Sequence, residues 1–220
     1  RQLHIQNENY TMKTIHFTDP HRRRHFEFFN RMDQPHFGVT MNLDVTKWMR
    51  YLKSNQLPFT PTMVYNIAFT ANQIPAFRYR IRGQVVVEHE VVHPSFTVKT
   101  DVSEVFSFCT VEYAEKYEIF KARALDRMEA MRVDPSFEDE PGRDDYLFLS
   151  AAPWVSFTSV QHAMHYSPAD SVPRIVWGKI FEEGSQLKMP FSITAHHAVV
   201  DGMHVGQYVE LIQSVLDGSL

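Results

Sequence analysis

The sequence predicts a mixed α/β fold, and three observations carry that prediction. "YAEKYEIFKARALDRMEAMR" sets Tyr117, Phe120, Ala124, Met128 and Met131 on one helical stripe, and the final "MHVGQYVELIQSVLDG" does the same with Val205, Tyr208, Val209, Ile212 and Leu216. Between such segments lie short runs of alternating apolar residues that read as strands. Strands and helices do not alternate regularly, so simple βαβ repeats are not expected.

Taken in order, "HRRRHFEFFNRM" reads as a helix, with Phe26, Phe29 and Met32 at near-helical spacing. "HFGVTMNLD" is strand-like, and "DVTKWMRYLKSNQ" returns to a helix with Val45, Trp48 and Leu52 on one face. "TPTMVYNIAFTANQIP" offers Thr60 as a cap and Pro61 at the first helical position, where its missing N–H costs nothing, followed by the stripe Met63, Ile67, Ala71 and Ile74. "RYRIRG" and "QVVVEHEVVH" read as two strands around Gly83, and "PSFTVKTD" and "VFSFCTVE" continue the β pattern. After the long helix comes a polar, proline-containing loop, "VDPSFEDEPGRDD". Further strands are expected in "YLFLSAAPWVSFTSVQHAMHY", "VPRIVWGKIFEE" and "QLKMPFSITAHH".

With 220 residues and no repeat, low-complexity tract or flexible linker, the chain reads as one domain over residues 15–220. Residues 1–14 read as an N-terminal arm or a non-native remnant, with Met12 a candidate start. A formal net charge of −4 argues against a nucleic-acid partner, which needs clustered Lys and Arg to neutralise phosphates. Absence of any long apolar run argues against a membrane span, and the first residues lack the apolar core of a secretory signal. Cys109 is the one cysteine, so no intrachain disulfide or thiolate metal cluster is expected, and a reducing cytoplasm is the simplest location.

The stretch richest in chemistry is "AHHAVVDGMHVG". His196 and His197 end a strand and Asp201-Gly202 opens the final helix. Successive strand residues point to opposite faces, so only one histidine faces a given cavity. Imidazole has an unperturbed pKa near 6.5, which suits it to accept a proton at neutral pH. Two other readings stand beside the general base. In one, the pair are buried corner residues with satisfied hydrogen bonds; in the other, His197, Asp201 and His204 form a loosely spaced metal set, disfavoured because no second ligand cluster accompanies it.

"HHAVVDGMHVGQYVE" resembles the signature of the chloramphenicol acetyltransferase family, HHxxxDG followed by HVGR or similar. "RRRHFEFF" is similar to the family's RxxHFEFY, "YLFLSAAPWVSFTS" to its NISALPWVxFxS, and "WGKIFEEGSQLKMPFSITAHH" to the strand pair leading to the active site. The resemblance runs from about Ile15 to Leu216.

That resemblance implies a two-layer α/β sandwich with a mixed β-sheet, the CoA-dependent acyltransferase fold, assembled as a homotrimer with active sites at subunit interfaces. It implies an O-acetyltransferase that moves an acetyl group from acetyl-CoA, as cosubstrate, to a hydroxyl of chloramphenicol, giving antibiotic resistance. The sequence itself carries no metal, nucleotide-phosphate-loop or flavin motif, so no cofactor or metal is expected beyond the acetyl-CoA cosubstrate. The second histidine of the pair, His197, is the implied general base and Ser150 the implied oxyanion donor; losing one such donor typically costs roughly 10²–10³ in turnover. Trp154 is implied to line the pantetheine channel, and Asp201 to pair with Arg22 in a buried ion pair whose rupture would cost roughly 3–5 kcal/mol.

An acceptor pocket is implied at Phe28, Phe29, Asp33, Phe106, Phe108, His162, Met164 and Val176, and there the sequence departs from the family. Phe29 lacks the usual phenol hydroxyl, and Phe108 stands where a small alanine is usual. Asp33, His162 and Met164 replace aliphatic residues, and Val176 replaces a threonine. The same chemistry on a different small hydroxylated acceptor is therefore the alternative. A binding protein of the same fold, and a lipoyl-linked acyltransferase core with HRxxDG-like spacing, are the lower ones.

Overall fold

The computed structural model describes residues 12–218. A small antiparallel sheet is made by β1 (Met12–Ile15), β3 (Tyr79–Arg82) and β4 (Val85–His89), in the order β1-β4-β3. Met12–Thr14, assigned by sequence to the arm, thus already belong to a sheet, while residues 1–11 lie outside the described residues. The β3–β4 turn passes through Gly83 at φ +66°, a conformation that costs glycine little.

The main sheet runs in the order β2 (His36–Asp44), β10 (Gln186–His196), β8 (Arg174–Gly178), β7 (Tyr146–Ala152), β5 (His93–Val98), β6 (Ser107–Thr110), with β9 (Phe181–Glu183) beside the start of β10. Strand β7 is parallel to both β8 and β5, and the remaining pairs are antiparallel, so the sheet is mixed, as expected. Its apolar face carries Phe96, Leu149, Ile175 and Ile193, all buried with Met63 and Ile67 of α3 (Phe59–Gln73), Phe120 of α4 (Tyr117–Val133) and Tyr208 and Ile212 of α5 (Gly202–Leu216). Tyr208 satisfies its buried hydroxyl on the Ile67 carbonyl at 2.9 Å. Helices α1 (Pro20–Phe29) and α2 (Thr46–Asn55) complete the helical set. No described helix is long and apolar enough to cross a membrane.

Several sequence expectations need correction. Helix α3 begins at Phe59, not at Pro61. The Pro58 carbonyl accepts from Thr62 N, so Pro58 is the cap, and Pro61 falls in the first turn, where an N–H has no intrahelical partner anyway. Met32 lies beyond α1 and is exposed. The strand expected to run on from "YLFLSAAPW" stops at Ala152, and 153–173 is irregular apart from one bridge between Tyr166 and Ala169. Pro153, Pro168 and Pro173 each remove a donor from that stretch. Gly178 on β8 receives this loop so closely that an added Cβ would lie 2.8 Å from the Val155 carbonyl oxygen.

Candidate active site

The histidine corner is built by main-chain bonds. Val199 N and Val200 N both donate to the His196 carbonyl, and His197 N donates to the Pro35 carbonyl at 2.8 Å. His196 turns inward and is buried beside His36, its strand partner. Burial, reinforced by His36, pushes its pKa down to about 4, and its Nδ1 accepts from Ala198 N at 3.2 Å.

His197 faces the other way and is half-buried. Its ring stacks on Phe29 with centroids 4.0 Å apart and packs against Phe37 at 4.4 Å and His25 at 5.4 Å. Nδ1 lies 3.2 Å from the Val200 carbonyl. A carbonyl only accepts, so Nδ1 carries the proton and Nε2 keeps its lone pair, the arrangement a base requires.

The implied Arg22–Asp201 ion pair is not among the salt bridges of the described residues. Arg22 instead donates to the carbonyls of Ala198 (2.9 Å) and Val199 (3.3 Å) and to His25 Nδ1 (3.0 Å), while its guanidinium lies 4.1 Å over the Phe17 ring. Arg22 therefore clamps the corner through its backbone, and burial lowers its pKa. Asp201 caps α5 in a capping box: its Oδ1 accepts from Gly202 N, and His204 Nδ1 accepts from Asp201 N. His204 is thereby committed to the cap rather than to the loosely spaced metal set. His25, His197 and Asp201 do bring ligand atoms within 4.8 Å of one another. A cation there would meet the fixed charge of Arg22, already bonded to His25.

Ser150 lies in β7 opposite Val176 of β8, which in turn lies opposite Ser192 of β10. Ser150 and the 70% exposed Trp154 line one cavity of ≈ 680 Å³ with Phe106, Thr97 and the α4 residues Leu125 and Met128. Trp154 is thus no core aromatic. His197 follows the last residue of β10, five residues past Ser192, and Ser150 is two strands to the side. At about 3.4 Å per residue and 4.8 Å per strand, the two are roughly 20 Å apart.

The implied acceptor residues divide in the same way. Phe29 ends α1 stacked on His197, the exposed Phe28 packs edge-on against Phe29, and Asp33 is exposed on the loop after the helix. Phe106, Phe108 and Val176 are on the Ser150 side, where Phe106 and Phe108 join Phe137 in a cluster with centroids 5.4–5.8 Å apart. His162 and Met164 lie half-buried on the irregular 153–173 loop. Burial, with Arg174 adding repulsion, lowers the His162 pKa, and its Nε2 has no hydrogen-bond partner among the described residues. Cys109, buried in β6 with its pKa pushed up to about 12 by burial, offers no thiolate at neutral pH.

His25, Phe37 and Phe137 were not singled out from the sequence. The first stands inside the quoted "HFE" motif, whereas only the folded chain brings the other two to the two half-sites.

Comparison with known proteins follows the same lines. The family model described as "Chloramphenicol acetyltransferase" matches residues 9–213. Chloramphenicol acetyltransferase 3 of Escherichia coli is 31% identical over 200 residues, 90% of this chain and 94% of that protein. A chloramphenicol acetyltransferase of Proteus mirabilis is 31% identical over 196 residues, 89% of this chain and 90% of that protein. Among solved structures, a chloramphenicol acetyltransferase superposes with a TM-score of 0.83 at 22% identity, covering 94% of this chain and all of that one. The truncated catalytic core of a 2-oxoacid dehydrogenase multienzyme complex from Thermoplasma acidophilum gives 0.68 at 17% identity, over 93% of this chain and 98% of that one. Both share the fold.

Proposed function

The chain belongs to the chloramphenicol acetyltransferase family, and on that premise we propose that it moves an acetyl group from acetyl-CoA to a hydroxyl of chloramphenicol, with His197 as general base and Ser150 steadying the oxyanion. The observation that carries this reading is the His197 corner. Its Nδ1 is held by the Val200 carbonyl and its ring by Phe29, leaving Nε2 free to act. Nε2 takes the proton of the acceptor hydroxyl while the oxygen bonds to the thioester carbonyl carbon. The carbonyl electron pair moves onto oxygen, where Ser150 donates a hydrogen bond. Collapse breaks the C–S bond, and the departing thiolate takes the proton back from the imidazolium.

The roughly 20 Å between His197 and Ser150 supports a site shared between copies, with the base from one subunit and the oxyanion donor from its neighbour. A closed homotrimer, as the resemblance implies, supplies three such sites. Exposed Trp154, Val155 and Phe106 at the Ser150 side give that contact apolar surface. Resistance to the antibiotic is the role that follows.

One observation favours a different hydroxylated acceptor as the second reading. Phe108 packs against Phe106 and Phe137 on the edge strand opposite Thr97, and Phe106 in turn lines the Ser150 cavity, so the ring fills space at that end of the sheet that an alanine would leave open. The test is thiol release from acetyl-CoA with chloramphenicol, wild type against His197→Ala. Release lost in the variant is expected. No release from wild type with chloramphenicol or with a panel of small alcohols overturns the enzymatic reading, and release with another alcohol alone selects the second.

A further inference from the structure

Ser150 does not stand alone on its sheet face. The β5–β7 register pairs Phe96 with Leu149, and one residue further it sets Thr97 beside Ser150. Thr97 is itself opposite Phe108. A single lateral row therefore reads Phe108, Thr97, Ser150, Val176, Ser192, Thr40 across six strands, all on one face.

Elsewhere on this face, hydroxyls that meet across neighbouring strands bond to each other. Thr40 Oγ1 donates to Ser192 Oγ at 3.0 Å, and Thr110 Oγ1 to Ser95 Oγ at 2.9 Å. Thr97 and Ser150 follow the last pair of the parallel β5–β7 ladder, on neighbouring strands about 4.8 Å apart. Yet neither hydroxyl has a hydrogen-bond partner among the described residues, and both line the cavity shared with Trp154. Both are half-buried on the cavity wall, so the two hydroxyls are open to a ligand atom that enters it. Val176 separates this open pair from the closed Thr40–Ser192 one.

We propose that Thr97 is a second hydroxyl donor to the oxyanion, acting on the same oxygen as Ser150. The assignment rests on the acetyl-transfer reading above. As the acceptor oxygen bonds to the thioester carbon and its proton passes to His197, the negative charge collecting on the carbonyl oxygen receives two O–H hydrogen bonds instead of one. No proton leaves Thr97 or Ser150, and both bonds lapse when the C–S bond breaks. Two fixed donors flanking one oxygen stabilise charge more in the transition state than in the neutral thioester, so the contribution falls on kcat rather than on binding.

The test compares Thr97→Val, Thr97→Ser and Ser150→Ala with wild type, using acetyl-CoA and chloramphenicol. Valine keeps the strand-compatible shape and removes only the hydroxyl, while serine keeps the hydroxyl. Thr97→Val is expected to lower kcat on the order of 10²-fold with the KM for acetyl-CoA within about twofold, and Thr97→Ser to retain most of the rate. Loss of rate in Ser150→Ala with Thr97→Val within twofold of wild type overturns this inference and leaves the functional reading standing. A rise in KM alone also overturns it, since that marks ground-state binding. A wild type that releases no thiol fails the functional reading and takes this inference with it.

Discussion

If the base and the oxyanion donor come from different copies, two inactive variants must rescue each other by a calculable amount. His197 lies five residues beyond Ser192, just past the end of β10, and Ser150 lies two strands across at the level of Ser192. Along-strand and across-strand distances of about 17 Å and 10 Å combine to roughly 20 Å, several times the reach of any side chain involved. His197→Ala and Ser150→Ala homo-oligomers should therefore each be nearly inactive. In oligomers assembled from an equal mixture, a site works only when a subunit with intact His197 precedes one with intact Ser150. Each condition has probability one half, so about one quarter of the sites recover, whatever the number of subunits in the closed ring. The assay is thiol release from acetyl-CoA after co-expressing the two variants with different affinity tags and isolating oligomers that carry both. Selection for both tags removes the homo-oligomers and lifts the expected value to about one third for trimers, because every mixed ring of three contains one intact site. Tag-selected mixed oligomers with no activity above the single variants would refute the shared site.

The loop beyond Ala152 gives another test. Gly178→Ala would set a Cβ 2.8 Å from the Val155 oxygen and 2.9 Å from the Phe157 ring, and the Val155 carbonyl is pinned by Lys179 N at 2.9 Å. A cost of about 1–3 kcal/mol is expected, read as a fall in thermal midpoint of roughly 2–4 °C per kcal/mol; an unchanged midpoint would show that the loop yields freely. Acid should destabilise the fold through His196. Its folded pKa is pushed down to about 4 while the unfolded value is near 6.5, so between those values the unfolded chain binds the proton first. Stability is then complete above about pH 6.5 and declines as pH falls toward 4, by roughly 2 kcal/mol between pH 7 and pH 5. His25, His36, His93, His162 and His204 are shifted downward too and add in the same sense. A denaturant midpoint that stays flat from pH 7 to 5 would contradict this.

What the sequence determined by itself was local or motif-borne. The stripes of α4 and α5 follow from 3.6-residue periodicity, which needs no partner to be read, and Phe120, Tyr208 and Ile212 are indeed fully buried. The HHxxxDG corner, PW segment and HFE stretch named the family because each is a contiguous run. Helix α3 was recognised but misdated at its start, since Pro61 is tolerated anywhere in a first turn and only the Thr62-to-Pro58 bond fixes the cap.

Tertiary structure decided how those pieces sum. The family resemblance implies Arg22 as the partner of Asp201, but its guanidinium reaches the Ala198 and Val199 carbonyls, and no side-chain identity announces a backbone acceptor. Strand register is likewise absent from any one segment. It took the pairings of β5, β7, β8 and β10, drawn from four separate parts of the chain, to set Thr97 beside Ser150 and to carry Ser150 some 20 Å from His197. Periodicity reports which face a residue shares with its own neighbours, whereas a catalytic site depends on which strands lie side by side, and that is fixed only when the sheet closes over its core.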